Sequence, residues 1–176
     1  MEAQMTFMEV YHRHARMVYN LCLNYLHGRE DAQEATQDVF LKVHKRLTGF
    51  KGDASVSTWI YRITINTCLD RLKARKRKKR SLLNLFSLSD VQVERSASMV
   101  FDHPGVAAED REALERLFML IDKLPEQQKT ALLLKTTEDL SMNAIAEVMD
   151  LSPKAVESLL SRGRANLRQY KSTSEG

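Results

Sequence analysis

Apolar residues recur every three or four positions along most of this chain, and this spacing restricts the fold more than any other feature. Residues separated in this way lie on one face of an α-helix, whereas a half-buried strand would show strict alternation. Three prolines and six glycines are also few for an all-β chain of 176 residues. The sequence therefore predicts an all-α protein with helices over residues 5–27, 30–47, 55–79, 114–121, 126–137, 141–149 and 153–170, and with Gly28 ending the first helix.

The predicted helices fall into two groups, separated by a stretch of different character. Residues 81–108 contain five serines, scattered leucines and the sequence His103-Pro104-Gly105, without a sustained period. We therefore expect two small helical domains, residues 1–80 and 109–176, joined by a flexible linker over residues 81–108. An apolar patch in the linker, residues 82–86, either docks on a partner or packs against the chain's own domains.

The formal net charge of +4 hides a local excess of positive charge. Residues 1–80 carry a net charge of +8, residues 81–124 carry −4, and residues 125–176 are neutral; eight of the ten residues 71–80 are Lys or Arg. A cationic stretch this dense favours a polyanionic partner, either nucleic acid or an acidic membrane surface. It lacks the aromatic apolar face of a membrane-surface helix. As an extension of the third helix it predicts a phosphate-binding ridge of Arg75, Lys76, Arg77, Lys78 and Lys79, and otherwise it is a solvated tail.

Other patterns argue against several classes of protein. Cys22 and Cys68 lie far apart in the sequence and show neither C-x-x-C nor zinc-ligand spacing, so we expect neither a disulfide framework nor a structural metal. A reducing compartment fits this pattern, and we expect no cofactor. His12 and His14 point to different sides of their helix, and no nucleophile pair has suitable spacing, so we expect no enzyme. The first residues are acidic and polar, and no apolar stretch reaches membrane-spanning length, so we expect a soluble cytoplasmic protein.

The last two predicted helices form a helix-turn-helix, because only residues 150–152 separate them. Ser152 takes the position of an N-cap and Pro153 that of the first helical residue. The final helix has one apolar face, and its opposite face suits a recognition helix in the major groove. The candidate duplex-binding residues on or beside that face are Lys154, Glu157, Ser158, Ser161 and Arg162. The alternative is an ordinary solvated helix face.

The third helix carries a second polar face, formed by Trp59, Arg62, Asn66, Asp70 and Lys73. A tryptophan on such a face can stack on an unpaired base while its polar neighbours hydrogen-bond the edge of that base. The alternative is that Trp59 covers the core of a small bundle.

The second helix offers a weaker signal of a protein-docking face, opposite its buried stripe. An exposed leucine lies there among charged and polar residues, and the members are Glu34, Gln37, Asp38, Leu41 and Lys45. Single exposed leucines are common in soluble proteins, so the alternative is that this face has no partner.

Several runs of residues are similar to one known family. Residues 31–43 (DAQEATQDVFLKV), 50–52 (FKG) and 58–72 (TWIYRITINTCLDRL) resemble region 2 of the extracytoplasmic-function (ECF) sigma factors. Residues 124–128 (LPEQQ), 145–149 (IAEVM) and 155–164 (AVESLLSRGR) resemble region 4 of the same family. The resemblance covers nearly the whole chain outside the linker, in the same order and spacing.

This resemblance implies a sigma subunit that directs core RNA polymerase to promoters. The helix over residues 31–45 would bind the clamp helices of the largest polymerase subunit. Region 4 would read the minus-35 element and dock on the flap of the second-largest subunit. The positions that capture a flipped minus-10 base correspond to Phe50, Lys51, Trp59, Arg62 and Asn66, with Lys73 following on the same helix. The resemblance also implies an anti-sigma partner.

The start of the recognition helix departs from the family pattern. Many relatives have Gly-Thr-Val-Lys/Arg-Ser-Arg, where this chain has Lys154-Ala155-Val156-Glu157-Ser158-Leu159. Glu157 either accepts a hydrogen bond from a cytosine amino group or pairs with a neighbouring arginine. Asn143 and Ala144 also replace the more usual Glu before the Ile-Ala pair. A rival interpretation is a conventional helix-turn-helix regulator that binds inverted repeats, and whose first domain senses a ligand or dimerises.

Overall fold

The structure, a computed structural model, describes residues 5–85 and 108–174, and these residues form seven α-helices and no strand. The predicted all-α class is confirmed. The helices are α1 (Phe7–Leu26), α2 (Arg29–Leu47), α3 (Val56–Leu85), α4 (Ala108–Asp122), α5 (Glu126–Thr136), α6 (Met142–Met149) and α7 (Pro153–Ser174).

Local side chains fix the ends of α1. Thr6 accepts a hydrogen bond from the Glu9 amide, and the Glu9 carboxylate accepts one from the Thr6 amide, which together form a capping box. The helix ends at His27, which adopts the left-handed conformation (φ 62°) and donates its amide to the Leu23 carbonyl. The prediction that Gly28 ends this helix is therefore wrong by one residue. Gly28 is extended and is the N-cap of α2.

The helices belong to two compact units. The first contains α1, α2 and the part of α3 from Ile63 onwards. Its core is formed where α1 packs on α2, and its fully buried side chains include Val10, Val18, Leu21, Ala32, Val39 and Val43. A cluster of aromatic side chains borders this core, and its members are Phe7, Tyr11, Phe40 and His44.

The second unit contains residues 51–62 and helices α4 to α7. Helix α7 packs on α5 because Gly163 allows a close approach: a Cβ at this position would lie 2.8 Å from Cδ1 of Leu132. Two buried polar residues of α5 are satisfied there, since Lys129 pairs with Asp122 at 2.5 Å and Gln128 accepts from Asn166 at 2.9 Å.

The third and fourth helices are longer than the apolar pattern predicts. Helix α3 continues six residues beyond Lys79, to Leu85, and α4 begins at Ala108. Residues 81–85 contain three leucines and neither Gly nor Pro, so nothing in their sequence stops a helix. The rest of the predicted linker, and the side chains of the apolar patch at 82–86, lie outside the described residues.

Candidate nucleic-acid interface

The predicted strand-binding stripe of α3 is exposed over most of its length. Asn66 and Lys73 are exposed, and so is Asp70 between them. Trp59 is half-buried, between the buried residues Thr58 and Ile60. The tryptophan is thus neither a core residue nor a fully solvated one, and part of its side chain remains open to solvent.

Arg62 is held by backbone oxygens within the second unit. Its Nη2 donates to the Glu147 carbonyl at 2.5 Å and its Nε donates to the Val148 carbonyl at 3.3 Å. These oxygens belong to the last turn of α6, where the helix dipole favours a positive charge. For Arg62 to bind DNA, these two hydrogen bonds must be exchanged for bonds to the nucleic acid.

The neighbouring Tyr61 is also engaged within this unit. Its hydroxyl donates to Oε2 of Glu138 at 3.1 Å. Burial, together with the adjacent Glu138 carboxylate, raises the pKa of Tyr61, and burial raises the pKa of Glu138. Sequence reasoning did not detect this pair, because the two residues are 77 positions apart and neither belongs to a recognisable pattern.

The two residues that precede α3 in the predicted site differ in exposure. Phe50 is half-buried and Lys51 is exposed. The Phe50 amide donates to the Leu47 carbonyl at 3.2 Å, which ties Phe50 to the end of α2. Gly52 follows in the left-handed region (φ 76°), a conformation that favours glycine.

The cationic part of α3 is helical throughout, and every residue from 73 to 80 is exposed. Counting 100° per residue places Arg77 and Arg80 on the same stripe as Asn66 and Lys73. The stretch is therefore a continuous helical ridge in this structure. This helical form is what the ridge interpretation requires, and phosphate binding by these residues stays a prediction.

The predicted docking face of α2 divides into two parts. Gln37, Leu41 and Lys45 point to solvent, and Leu41 is 59% exposed. Glu34 and Asp38 instead pair with Arg71 of α3, at 3.2 and 2.5 Å.

Ion pairs and one hydrogen bond form a ladder between α2 and α3. Arg75, a predicted ridge residue, pairs with Asp31, and Lys42 donates to the Thr67 hydroxyl at 2.9 Å. The Asp38 and Glu34 carboxylates raise the pKa of Arg71. Sequence reasoning missed Arg71 as a contact residue. Opposite charges on both helices were visible in the sequence, but their antiparallel register was not.

The helix-turn-helix is capped as the sequence predicts. Ser152 accepts from the Ala155 amide at 3.2 Å, and Pro153 is the first residue of α7. Ser141 likewise caps α6 by accepting from the Ala144 amide. Asp150 makes the turn in the left-handed conformation (φ 56°).

The two faces of α7 are divided as the 100° spacing predicts. Val156, Leu159, Leu160 and Gly163 are buried. The predicted duplex-binding residues are exposed except for Ser158, which is half-buried; the exposed ones are Lys154, Glu157, Ser161 and Arg162.

Ser158 orients Arg162. The Ser158 hydroxyl accepts hydrogen bonds from Nε of Arg162 at 3.2 Å and from Nη2 at 2.7 Å. These bonds occupy one edge of the guanidinium and leave the Nη1–Nη2 edge with donors directed away from Ser158. That free edge matches the two acceptors, O6 and N7, that guanine presents in the major groove.

Two kinds of feature are absent from the described residues, a metal-binding cluster and a membrane-spanning helix. Within residues 5–85 and 108–174, no group of three or more His, Cys, Asp or Glu side chains is arranged to hold a metal ion. Among these same residues, no helix is long and apolar enough to cross a membrane.

Two family models match the chain, Sigma-70 region 2 over residues 10–78 and Sigma-70, region 4 over residues 114–167. The chain is 33% identical over 162 residues to the RNA polymerase sigma-H factor of Pseudomonas aeruginosa, covering 86% of this chain and 79% of the relative. It is 30% identical over 164 residues to the ECF RNA polymerase sigma factor SigM of Mycobacterium tuberculosis, covering 92% of this chain and 74% of the relative. The chain belongs to the ECF sigma factors of the sigma-70 family. As such, it is a promoter-recognition factor of RNA polymerase.

Two solved structures share the fold. The chain is similar to CnrH in its complex with the cytosolic domain of CnrY, with a TM-score of 0.66 and 21% identity, over 98% of this chain and 91% of that one. It is also similar to RpoE of Bartonella quintana in complex with the anti-sigma factor NepR, with a TM-score of 0.65 and 16% identity, over 93% of this chain and 94% of that one. The faces of α3 and α7 are thus presented on a known sigma factor fold.

Proposed function

We propose that this ECF sigma factor divides promoter recognition between two helical faces. The α7 face, Lys154, Glu157, Ser158, Ser161 and Arg162, binds the minus-35 duplex. The α3 stripe, with Phe50 and Lys51 before it, binds the opened minus-10 strand. The observation that carries this proposal is the exposure of two separate polar faces, each on the opposite side of a helix from its buried residues.

The minus-10 part rests on the half-open Trp59 beside polar groups. Extracting a base from a duplex costs a few kcal/mol, and stacking on an aromatic side chain returns about 1 to 3 kcal/mol. Asn66 is exposed on the same stripe and offers a donor and an acceptor for a base edge. The ridge of Arg75, Lys76, Arg77, Lys78 and Lys79 holds the phosphates of the strand, and Arg75 does so by exchanging its ion pair with Asp31 for a phosphate.

The minus-35 part assigns a specific role to Arg162. With one guanidinium edge fixed on Ser158, the other edge binds guanine by two hydrogen bonds. Ser158 in this proposal positions Arg162 and does not read a base itself. Glu157 is exposed on the flank of this face, where it accepts a hydrogen bond from a cytosine amino group or pairs with an arginine.

The polymerase contact is assigned to the solvent-facing part of α2. Gln37, Leu41 and Lys45 are available in the structure as it stands, and Leu41 supplies an exposed apolar centre. Glu34 and Asp38 take part only if a cationic group of the polymerase replaces Arg71. The proposed domain limits are residues 1–80 for region 2 and 109–176 for region 4, with a linker over residues 81–108; the family models, which match residues 10–78 and 114–167, support this division.

Further partners and the place of action follow from the relatives. An anti-sigma factor is proposed because the two solved relatives are described in complexes, one of them with a protein named as an anti-sigma factor. The chain acts in the cytoplasm with the polymerase. It works by binding, without a catalytic step of its own.

Transcription in vitro tests the whole proposal. Core polymerase with this chain is expected to give discrete products from a panel of genomic promoter fragments, and core polymerase alone is not. A conventional regulator that binds inverted repeats would give no product that depends on the chain, and this result would contradict the proposal.

The role of the α3 stripe is tested by comparing two templates. Trp59→Ala and Asn66→Ala are expected to reduce initiation about tenfold or more on a duplex promoter, and much less on a pre-melted bubble, because the bubble needs no base extraction. Ser161→Ala on α7 is the matched control, which should affect both templates equally. Equal losses on both templates with the α3 variants would assign them to folding or general affinity.

A further inference from the structure

The chain contains two cysteines, and the structure brings them together in the first unit. Cys22 lies on α1 and Cys68 on α3, 46 positions apart, and their Sγ atoms are 3.7 Å from each other. Both side chains are fully buried. Neither thiol takes part in the faces assigned above to DNA or polymerase, so promoter recognition leaves the pair without a role.

The surroundings of Cys22 favour its reactive form. Cys68 donates a hydrogen bond to Cys22, Thr36 of α2 hydrogen-bonds to it, and the Arg71 guanidinium lies near enough to act on its charge. These interactions lower the pKa of Cys22 although burial opposes them. The thiolate is the nucleophilic form of cysteine, so the hydrogen bonds from Cys68 and Thr36 and the nearby Arg71 guanidinium favour Cys22 as the attacking group.

The geometry permits a bond after a small movement. A disulfide needs a sulfur separation of about 2.05 Å, so the two Sγ atoms have to approach by roughly 1.7 Å. Thr36 and Arg71, which adjoin the pair, are both partly exposed.

We propose that Cys22 and Cys68 form an oxidisable dithiol that hydrogen peroxide converts into an intramolecular disulfide between α1 and α3. The Cys22 thiolate attacks one peroxide oxygen, so that an S–O bond forms, the O–O bond breaks, and the departing oxygen leaves as water after taking a proton. The Cys68 sulfur then attacks the Cys22 sulfenic acid. An S–S bond forms, the S–O bond breaks, and the hydroxyl leaves as a second water with the Cys68 proton. The two sulfurs lose two electrons in total, and the peroxide gains them.

The disulfide would enclose all of α2 within one closed loop, from Cys22 to Cys68. Cys22 also lies near enough to Arg71 and Asp38 to feel their charges, and these two residues pair with each other between α2 and α3. Closure of a loop of this length restricts the unfolded chain, so oxidation should raise the unfolding temperature by several degrees. This inference concerns the chain alone and does not depend on the proposed polymerase contact.

The test is thiol counting on the full-length folded chain, treated with hydrogen peroxide without reductant. After quenching, denaturation and alkylation with N-ethylmaleimide, the oxidised chain is expected to carry no adduct and to have lost two hydrogen atoms in intact mass. Dithiothreitol should restore two adducts. The peroxide dose is set so that it oxidises the urea-unfolded chain. If the folded chain still has two alkylatable thiols at that dose, the pair is buried and inert, and the proposal is overturned. A disulfide-linked dimer as the main product would overturn it as well.

Single variants test the assigned order of attack. In Cys68→Ser the Cys22 sulfenic acid has no second thiol, so dimedone is expected to label it. Cys22→Ser should give little label, because Cys68 is not activated. Thr36→Val should slow formation of the disulfide several-fold while leaving the unfolding transition in place. Equal labelling of the two single variants would contradict the assignment of Cys22 as the nucleophile.

Discussion

Single residues set how closely two helices approach and which ionisable groups are buried. The clearest case is Gly163, where α7 lies against α5 with no room for a methyl group. His14 is a second case, since an ionisable ring is buried inside the first unit. Both effects depend on one side chain and its immediate neighbours, and both are open to measurement with single substitutions.

Gly163→Ala is expected to destabilise the second unit by about 1 kcal/mol. The new Cβ would meet Leu132 at 2.8 Å, and overpacking of this kind costs about 1 to 3 kcal/mol, while alanine regains about 1 kcal/mol of helix propensity. Urea unfolding measures the difference. In a Leu132→Ala background the same change should be neutral or stabilising. A stabilising effect of Gly163→Ala in the wild-type chain would show that Leu132 moves aside freely.

His14 is expected to make stability depend on pH. Burial, with a smaller effect of the Arg13 charge, lowers the pKa of His14 below its usual value near 6.5. Below that pH the unfolded chain takes up a proton before the folded chain does, so the free energy of unfolding falls as the pH falls.

The His14 effect is measured by urea unfolding at about pH 7.5 and about pH 5, above and below the ordinary value for histidine. His14→Leu should reduce the difference between the two conditions. The exposed His12 on the same helix gives the matched control, His12→Gln, which should leave the difference unchanged. A pH dependence of the same size in His14→Leu and wild type would assign the effect to other groups.

At the scale of helices, the contact between α2 and α3 joins the two elements to which different functions are proposed. Helix α2 carries the proposed polymerase face, and α3 carries the proposed strand-binding stripe. Their side-chain contacts run antiparallel, from Asp31 with Arg75 to Lys42 with Thr67. Such exposed pairs contribute little stability individually, so their main effect is to fix the register of the two helices.

Asp38 and Arg71 are expected to show a coupling of about 0.5 to 1 kcal/mol in a double-mutant cycle with Asp38→Asn and Arg71→Gln. The pair is 2.5 Å apart with side chains 45% and 27% exposed, so solvent screens it only in part. Urea unfolding at low and high salt measures the coupling, which should shrink at high salt. The exposed Lys135–Asp139 pair of the other unit should give a coupling near zero. Equal couplings for the two pairs would contradict this.

For the whole molecule, the proposed function assigns different forms of DNA to the two regions. In this proposal region 4 binds a duplex through α7, and region 2 binds an opened strand through α3. The positive charge is concentrated on α3, where every residue from 73 to 80 is exposed. Affinity for a single strand should therefore come mostly from region 2 and should depend strongly on salt.

The salt dependence of binding to a single-stranded oligonucleotide is expected to fall when four ridge residues, Lys76, Arg77, Lys78 and Lys79, are changed to Gln. Each lost phosphate contact reduces the logarithmic slope by about 0.7, so the slope should fall by up to about 3. Fluorescence anisotropy over a salt series measures it. Arg13→Gln with Arg16→Gln, on exposed positions of α1, is the matched control and should leave the slope nearly constant. An unchanged slope in the ridge variant would mean that these cations do not contact the strand.

The sequence by itself determined the elements of this protein and the faces of its helices. Apolar spacing is a local property, and it predicted the seven helices of the described residues and the buried side of α7, which the structure confirms. The Ser152 cap was predicted from residue type, which is also local, and it is confirmed as well. Local pattern also located the cationic run. It failed at helix ends, because His27 takes the left-handed position expected for Gly28, and because no residue before Leu85 stops α3.

Only the tertiary structure decided which distant side chains meet. Three sets of contacts show this: Arg62 with the end of α6, Arg71 with Glu34 and Asp38, and Cys22 with Cys68. They join residues that are 33 to 86 positions apart in the sequence. Such contacts depend on the register and rotation of packed helices, and a rotation of one residue would remove each of them. The periodicity that predicts a helix is unchanged by that rotation, so the sequence pattern alone does not encode these pairs.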